Sequence, residues 1–265
     1  MRQVIATVIS NKNLSKGVEE IPKAYLMSVL APGIASIAKP GQFVMLSCGP
    51  EVTLRRPLSI HQIEYPDRIY LLFAAIGKGT DWLSRRKKGD TLDLVGPLGN
   101  GFTIEPMSRR LLLIGGGIGV SPLAFLAEQA KKQGKEISLL LGARTGNQLY
   151  HQRFPANGIK TVILTDDGSK GIKGKISDLR NLAEYIGQAD QVFICGPLPM
   201  YQAICNLMQQ KALKKPVQVS LETRMGCGIG TCYGCSIKTI HGMKTVCHDG
   251  PVFNMDEIIW REVTI

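Results

Sequence analysis

Residues Arg110–Leu123 read RLLLIGGGIGVSPL. Four apolar residues, Leu111 to Ile114, run directly into glycine, and Ser121-Pro122 opens an amphipathic segment, PLAFLAEQAKKQ. A continuous apolar run bounded by glycine is the pattern of a strand buried on both faces, and proline in a first turn marks a helix start. The unit predicted is strand, tight turn, helix. Gly115, Gly116, Gly117 and Gly119 let the backbone of such a turn approach a pyrophosphate, and the helix N-terminus beyond favours an anion. Val120 stands where G-x-G-x-x-G requires its last glycine. Taken alone, the turn is equally well explained as a plain chain reversal.

The same alternation continues downstream. EISLLLGA, IKTVILTDDG, DQVFICGP and PVQVSLE read as further buried strands, with a helix at MYQAICNLMQQKA. Five such strands alternating with helices predict a doubly wound parallel sheet, whose ligands lie at the carboxyl ends of its strands. The fourth strand ends there with Cys195-Gly196-Pro197, a second element at the ligand edge, although Cys195 by itself reads as a buried strand cysteine. The second strand ends at Arg144 with no acidic residue close by in sequence, which would suit a 2′-phosphate.

Upstream, residues 1–104 change period. RQVIATVIS, AYLMSVLA, QFVMLSC, RPLSIHQIE, RIYLLFAAI and DTLDLVGPLG are short strands punctuated by proline and glycine, with a short helix at TDWLSRR. Six strands at this spacing predict an antiparallel barrel. Within it, LRRPLSI places Arg56 to hold a diphosphate by its planar fork and Ser59 to face a cofactor ring across Pro57 and Leu58. The glycines of AAIGKGTDWL offer a second place for phosphate.

Residues 223–265 are rich in glycine and cysteine. Cys227, Cys232, Cys235 and Cys247 are spaced C-x4-C-x2-C-x11-C. This is the spacing of a plant-type 2Fe–2S centre with a shortened last gap, which suggests a compact module. A zinc ribbon would favour two C-x2-C pairs, and a Rieske centre needs two histidine ligands that His241 and His248 do not supply in pattern. A zinc-ribbon binding module stays as the reading of another class. Gly226, Gly228, Gly230 and Gly234 allow a tight loop to turn N–H groups towards sulfur.

Bulk properties agree with this division. The chain has 265 residues, more than one common domain, so two domains and a small module are expected. The net charge of +11 is scattered over Arg85-Arg86-Lys87-Lys88, Lys131-Lys132 and Lys214-Lys215 and does not form an aromatic-interleaved patch. It argues against nucleic acid and suits anionic cofactors or an acidic partner. Seven cysteines, an odd number, favour ligands over a disulfide framework. With no apolar run long enough to span a membrane and no secretion signal, a cytoplasmic protein is expected.

In the order Arg56-Pro57-Leu58-Ser59, Gly115 to Pro122 and Cys195-Gly196-Pro197, the chain resembles the ferredoxin–NADP reductase superfamily. With GPLGNGF, TDDGS, ETRMGCGIGTCYGC and CHDGPVF it resembles, along essentially its whole length, the electron transfer subunits of type B dihydroorotate dehydrogenase. The resemblance implies an FAD-binding barrel (1–104), an NAD-binding α/β domain (105–222) and a 2Fe–2S module (223–265). It implies that FAD is held by Arg56, Pro57, Leu58 and Ser59, completed by Phe73, Ala74, Ala75, Gly79 and Thr80. Gly115, Gly116, Gly117, Gly119, Cys195, Gly196 and Pro197 would receive NAD, and Cys227, Cys232, Cys235 and Cys247 the cluster. The implied partner is an FMN-bearing catalytic subunit that oxidises dihydroorotate in pyrimidine biosynthesis, in a heterotetramer of two of each. That partner would carry the acid–base chemistry, leaving no catalytic residue here beyond the cofactors. One departure is Leu58, where the family usually has an aromatic residue or Ile. Small subunits of NADH-dependent ferredoxin:NADP oxidoreductase and of sulfide dehydrogenase share the layout and form the alternative.

Overall fold

The computed structural model describes residues 1–15, 22–150, 154 and 158–263. Among these, six strands close into an antiparallel barrel: β1 (Arg2–Asn13), β2 (Ala24–Leu30), β3 (Phe43–Leu46), β4 (Arg56–Glu64), β5 (Arg68–Ala74) and β6 (Thr91–Leu98), in the order β1-β2-β5-β4-β3-β6. Alternate residues point inward, as a period of two requires. Ala6, Val8, Val44, Leu46, Ile69, Leu71, Phe73, Leu92 and Leu94 meet in one cluster. Ile34 and Ala35 of α1 (Pro32–Ala35) and Leu83 of α2 (Lys78–Ser84) join the same core and hold the two short helices to it.

The second unit is a sheet ordered β10-β9-β8-β7-β11-β12-β15. Its strands are β7 (Arg110–Gly116), β8 (Glu136–Ala143), β9 (Ile159–Thr165), β10 (Ile172–Lys173), β11 (Gln191–Cys195) and β12 (Val217–Ser220), all parallel, with β15 (Val252–Asn254) antiparallel at the edge. Helices α3 (Ser121–Lys132), α4 (Leu182–Gln188) and α5 (Leu198–Gln210) cover it. The unbroken apolar run of β7 is explained by its two faces. Leu111 and Leu113 pack with Leu123 and Leu126 of α3, while Leu112 and Ile114 pack with Ile186 of α4 and Ile204 of α5.

After β12 the chain forms the cysteine loop, then a hairpin of β13 (Ser236–Thr239) and β14 (Gly242–Thr245) before returning as β15. The sequence alternation does not reveal β15. It is three residues long, follows Gly250-Pro251, and carries too short a pattern to register as a strand. Tyr201 of α5 stacks on Trp260 at a ring-centroid distance of 5.3 Å, a further tie between the sheet and the C-terminal segment. The basic runs lie where the sequence places them: Arg85 to Lys88 between α2 and β6, Lys131-Lys132 at the end of α3, Lys214-Lys215 between α5 and β12. No helix of the described residues is long and apolar enough to cross a membrane.

Two glutamines clamp the connection between barrel and sheet. Gln191, 1% exposed, donates from Nε2 to the Thr103 carbonyl (2.8 Å) and accepts the Glu105 N–H on Oε1 (3.0 Å). Gln218 accepts the Thr103 N–H at 3.0 Å. Gln191→Leu keeps the volume and removes two hydrogen bonds beside a buried strand. We expect it to cost about 1–3 kcal/mol and to lower Tm by several degrees, measured by calorimetry on the cofactor-loaded protein. An unchanged Tm would mean that the connection is held elsewhere.

Candidate cofactor-binding site

A cleft of about 330 Å³ opens where barrel and sheet meet, within the usual range for small-ligand sites. One wall is the barrel: Arg56, Pro57, Leu58 and Ser59 from β4, Ala74 from the end of β5, and Gly79 and Thr80 from α2. The opposite wall is Ile118, Ser121 and the segment Ser220 to Thr223 that leaves β12. Met225 and Pro251 complete it. The barrel wall carries most of the residues expected to hold FAD. Gly79 leaves room for Arg56: a Cβ there would lie 3.0 Å from its Cγ and 3.1 Å from its Nε. The Arg56 guanidinium is oriented by the Leu54 carbonyl, 2.8 Å from Nη1.

Phe73 also lines the cleft, and Phe73 and Thr80 have structural partners besides, while Ala75 lies next to the lining. Thr80 spends its hydroxyl on the turn, accepting the N–H groups of Ile76 (3.0 Å) and Gly77 (3.2 Å). The Phe73 ring stacks on Tyr25 in the barrel cluster, at 5.6 Å between centroids. Ala75 lies outside the cleft lining and bonds through its N–H to the Lys23 carbonyl.

The two motifs expected to receive the nicotinamide nucleotide interlock. A Cβ on Gly119 would stand 2.8 Å from the Gly196 Cα and 2.9 Å from the Cys195 carbonyl oxygen, so only glycine allows this approach. Gly116 similarly faces Pro197, and Gly115 packs inside the sheet against Val120 and Leu141. Gly117, by contrast, has no neighbour where its Cβ would be. The turn Cys195 to Pro197 is fixed by Tyr201, whose hydroxyl accepts the Gly196 N–H (2.9 Å) and donates to the Ser220 carbonyl (2.6 Å). Cys195 is buried, and desolvation holds its thiol far above the usual range. It is structural packing at the ligand edge, not a nucleophile.

Arg144 is not isolated from acids in space. The backbone N–H groups of Asp166 and Asp167 bond to the carbonyls of Ala143 (3.0 Å) and Arg144 (3.2 Å). The parallel pairing of β8 with β9 brings the backbone of these two acidic residues against the end of β8, which a reading along the chain could not detect, while the Arg144 side chain bonds to Gln148 and the Asp167 carboxylate to Ser169. Asp167 is held below the usual carboxylate range by the Ser169 N–H and hydroxyl.

The cysteine loop fits an iron–sulfur cluster by its backbone. Ile229 N–H points to Cys227 Sγ (3.5 Å), Gly230 N–H to Cys247 Sγ (3.1 Å) and Cys247 N–H to Cys235 Sγ (3.4 Å). Burial opposes ionisation of Cys227, but N–H groups of Ile229, Cys232 and Thr231 outweigh it and bring the thiol to about 6. Burial and the adjacent Cys235 thiol push Cys247 up to about 12. Such a set keeps several thiolates together only when a cation compensates them. No three His, Cys, Asp or Glu side chains of the described residues are gathered tightly enough for a single metal ion, so the fit rests on the sulfur-directed N–H groups. Gly228, at φ +77°, packs the loop on the barrel: a Cβ there would meet Met45 Cγ at 2.6 Å. Cys235 and Cys247 are buried, and Cys232 is exposed.

Sequence reasoning missed Ser121, Glu222, Thr223 and Met225 as cleft residues. The first reads as a helix start and the others as a loop after the last parallel strand, and the structure places all four in the cleft lining.

Comparison with known proteins gives these features a context. Residues 222–259 match the model of the iron–sulfur cluster binding domain of dihydroorotate dehydrogenase B, and residues 113–206 that of the oxidoreductase NAD-binding domain. A dihydroorotate dehydrogenase B (NAD(+)) electron transfer subunit from Desulforamulus reducens is 38% identical, over 91% of this chain and 94% of the relative. The counterpart from Geobacillus sp. (strain WCH70) is also 38% identical, over 98% and 99%. Among solved structures, one reported for an NADH-dependent reduced ferredoxin-NADP oxidoreductase is 28% identical, with a TM-score of 0.84 over 97% of this chain and 91% of that one. A ferredoxin NADP+ reductase from Neisseria gonorrhoeae with bound FAD and NADP shares the fold at 20% identity and a TM-score of 0.65, over 79% and 92%. Identity sustained across nine-tenths of both chains, with the cysteine loop inside the matched region, decides the relationship: the chain belongs to the electron transfer subunits of dihydroorotate dehydrogenase B.

Proposed function

We propose that this chain carries electrons from the FMN of a dihydroorotate-oxidising catalytic subunit, through a 2Fe–2S cluster and FAD, to NAD+. The observation that carries this reading is the junction at Met225 and Cys227. Met225, 9% exposed, lines the cleft, and Cys227 is the first thiol of the cysteine loop only two residues on. The loop therefore adjoins the flavin cleft and needs no separate conductor. When bound, FAD exchanges a hydride with NAD and single electrons with the cluster, a conversion neither of the other two can make.

The segments 1–104, 105–222 and 223–265 serve FAD, NAD and cluster in turn. Arg56 holds the diphosphate, and Leu58 and Ser59 face the ring. The interlocked turns at Gly115–Gly119 and Cys195–Pro197 receive the nucleotide, supported by the fit of the glycine contacts. Cys227, Cys232, Cys235 and Cys247 ligate the iron. Ile229 and Tyr233, 46% and 71% exposed, stand beside the thiols and offer the catalytic subunit an apolar landing. Tyr233 holds a positive φ of 57°, a strained state that suits a functional loop. Two copies of each subunit would make the heterotetramer. Seven free cysteines suit the reducing cytoplasm.

The small subunit of an NADH-dependent ferredoxin:NADP oxidoreductase remains the second reading, on the likeness of its fold. Identifying the co-purifying partner, and whether it oxidises dihydroorotate, separates the two. A colourless preparation lacking flavin and iron–sulfur absorbance would instead point to the zinc-ribbon module.

Three outcomes are expected. Arg56→Ala removes a charged hydrogen bond worth about 1.5–3 kcal/mol, so FAD affinity falls at least about tenfold while the cluster's electron paramagnetic resonance persists. Full flavin occupancy at low added FAD would count against the assignment. Cys232→Ser replaces a soft ligand by a hard one. It abolishes the cluster signal and dihydroorotate-driven NAD+ reduction, while NADH still bleaches FAD in stopped flow; continued turnover would show that electrons bypass these cysteines. For the nucleotide, Arg144 at the end of β8 would suit a 2′-phosphate, but the relatives named for NAD(+) point to NAD. The kcat/KM for NADH should therefore exceed that for NADPH by about tenfold or more with an artificial acceptor, and a preference for NADPH would refute this.

A further inference from the structure

Among the described residues, three side-chain polar atoms are buried without a hydrogen-bond partner: Asn11 Oδ1, Ser121 Oγ and Thr223 Oγ1. Asn11 is accounted for, since its amide nitrogen donates to the carbonyls of Leu83, Ser84 and Arg86 and fixes the group's orientation. The other two line the same cleft. They arrive from separate elements, Ser121 as the first residue of α3 and Thr223 from the segment after β12. A buried hydroxyl that forgoes a partner is costly, and two such residues lining one cleft point to ligand groups there that satisfy them.

Both hydroxyls are held in place. Ser121 is 3% exposed, and its carbonyl lies 2.9 Å from Nδ1 of His61, which is fully buried in β4 two residues beyond Ser59. The Thr223 segment is anchored by the Leu221 N–H on the Pro251 carbonyl (2.9 Å) and by Tyr201 on the Ser220 carbonyl (2.6 Å). Their wall is the one opposite Arg56 to Ser59. A hydroxyl both donates and accepts, so the pair matches a neutral amide, which offers one carbonyl and two N–H groups.

We propose that Ser121 and Thr223 hold the carboxamide of the nicotinamide ring against the flavin. The inference rests on reading the cleft as the meeting place of FAD and NAD, and makes these two positioning residues for ring binding.

The test uses the cofactor-loaded complex with Ser121→Ala, Thr223→Val, the double variant, and Thr223→Ser, which keeps the hydroxyl. The Kd of NAD+ is measured by equilibrium titration, and FAD reduction is followed in stopped flow with NADH and with its 3-acetylpyridine analogue, whose methyl ketone lacks the amide N–H. We expect each single loss to weaken NAD+ by about three- to tenfold, as a neutral hydrogen bond implies. Thr223→Ser should restore affinity, FAD content and the flavin spectrum should stay unchanged, and the double variant should lose most of the wild-type preference for NADH over the analogue. Unchanged NAD+ affinity, a shifted flavin spectrum or FAD loss, or discrimination that survives in the double variant would each overturn the proposal. Failure of the wild-type complex to bind FAD or NAD+ at all would instead overturn the reading of the cleft on which it depends.

Discussion

The arrangement depends on one antiparallel pairing, β15 against β12. Ser220 pairs with Val252 and Val219 with Phe253, and the Leu221 N–H reaches the Pro251 carbonyl just past the last pair. Parallel sheets need a crossover to add a strand, but an antiparallel edge strand needs only that the chain turn back. The C-terminal segment uses this. By returning as β15 it fixes both ends of the loop containing Cys227 to Cys247. Asn100, after the last barrel strand, bonds through its N–H to Gly250 and through its side chain to Asp249. Sheet, barrel and cysteine loop thereby share one seam, and the cleft lies along it.

Much of this organisation is legible in the sequence because it rests on long, regular signals. β4 coincides with RPLSIHQIE, and the two-sided burial of β7 explains its unbroken Leu-Leu-Leu-Ile run. The cysteine spacing and glycine turns are equally local. What the sequence hides is set by pairing between distant strands. The Asp166 and Asp167 N–H groups meet the Ala143 and Arg144 carbonyls only through the β8–β9 register, and β15 is visible only in its pairing with β12. The structural partners at expected FAD positions are hidden in a similar way. A list of residues cannot say that Thr80 is consumed by its own turn or that the Phe73 ring belongs to the barrel core.

Buried polar groups mark the seams of the molecule. Gln191 secures the connection between barrel and sheet, His61 ties β4 to the start of α3, and Tyr201 ties the Gly196 turn to the end of β12. Gln62 adds a bond from Nε2 to Glu128 Oε2, 2.7 Å, across the same β4–α3 junction. These bonds add modest net stability, but leaving any of these buried groups unmade would be expensive, so they fix relative positions more than they strengthen the fold. A hydride donor and acceptor need that fixity, because reactivity falls steeply when reacting atoms are misplaced by an ångström.

The cysteine loop faces an opposite demand. It must hold the sulfurs of an iron–sulfur cluster close to the surface, with Cys232 exposed and Cys235 and Cys247 buried. Glycine meets this twice over. Its N–H groups are free to turn towards sulfur, as Gly230 does to Cys247, and its missing side chain lets Gly228 sit directly on Met45 of the barrel. Of the loop's large apolar side chains, Ile229 and Tyr233 are exposed. The inner side of the loop is thus pressed to the barrel, while Ile229, Thr231, Cys232 and Tyr233 lie exposed on its outer side. The same few glycines serve the loop twice, turning an N–H to sulfur and letting the backbone lie against the barrel.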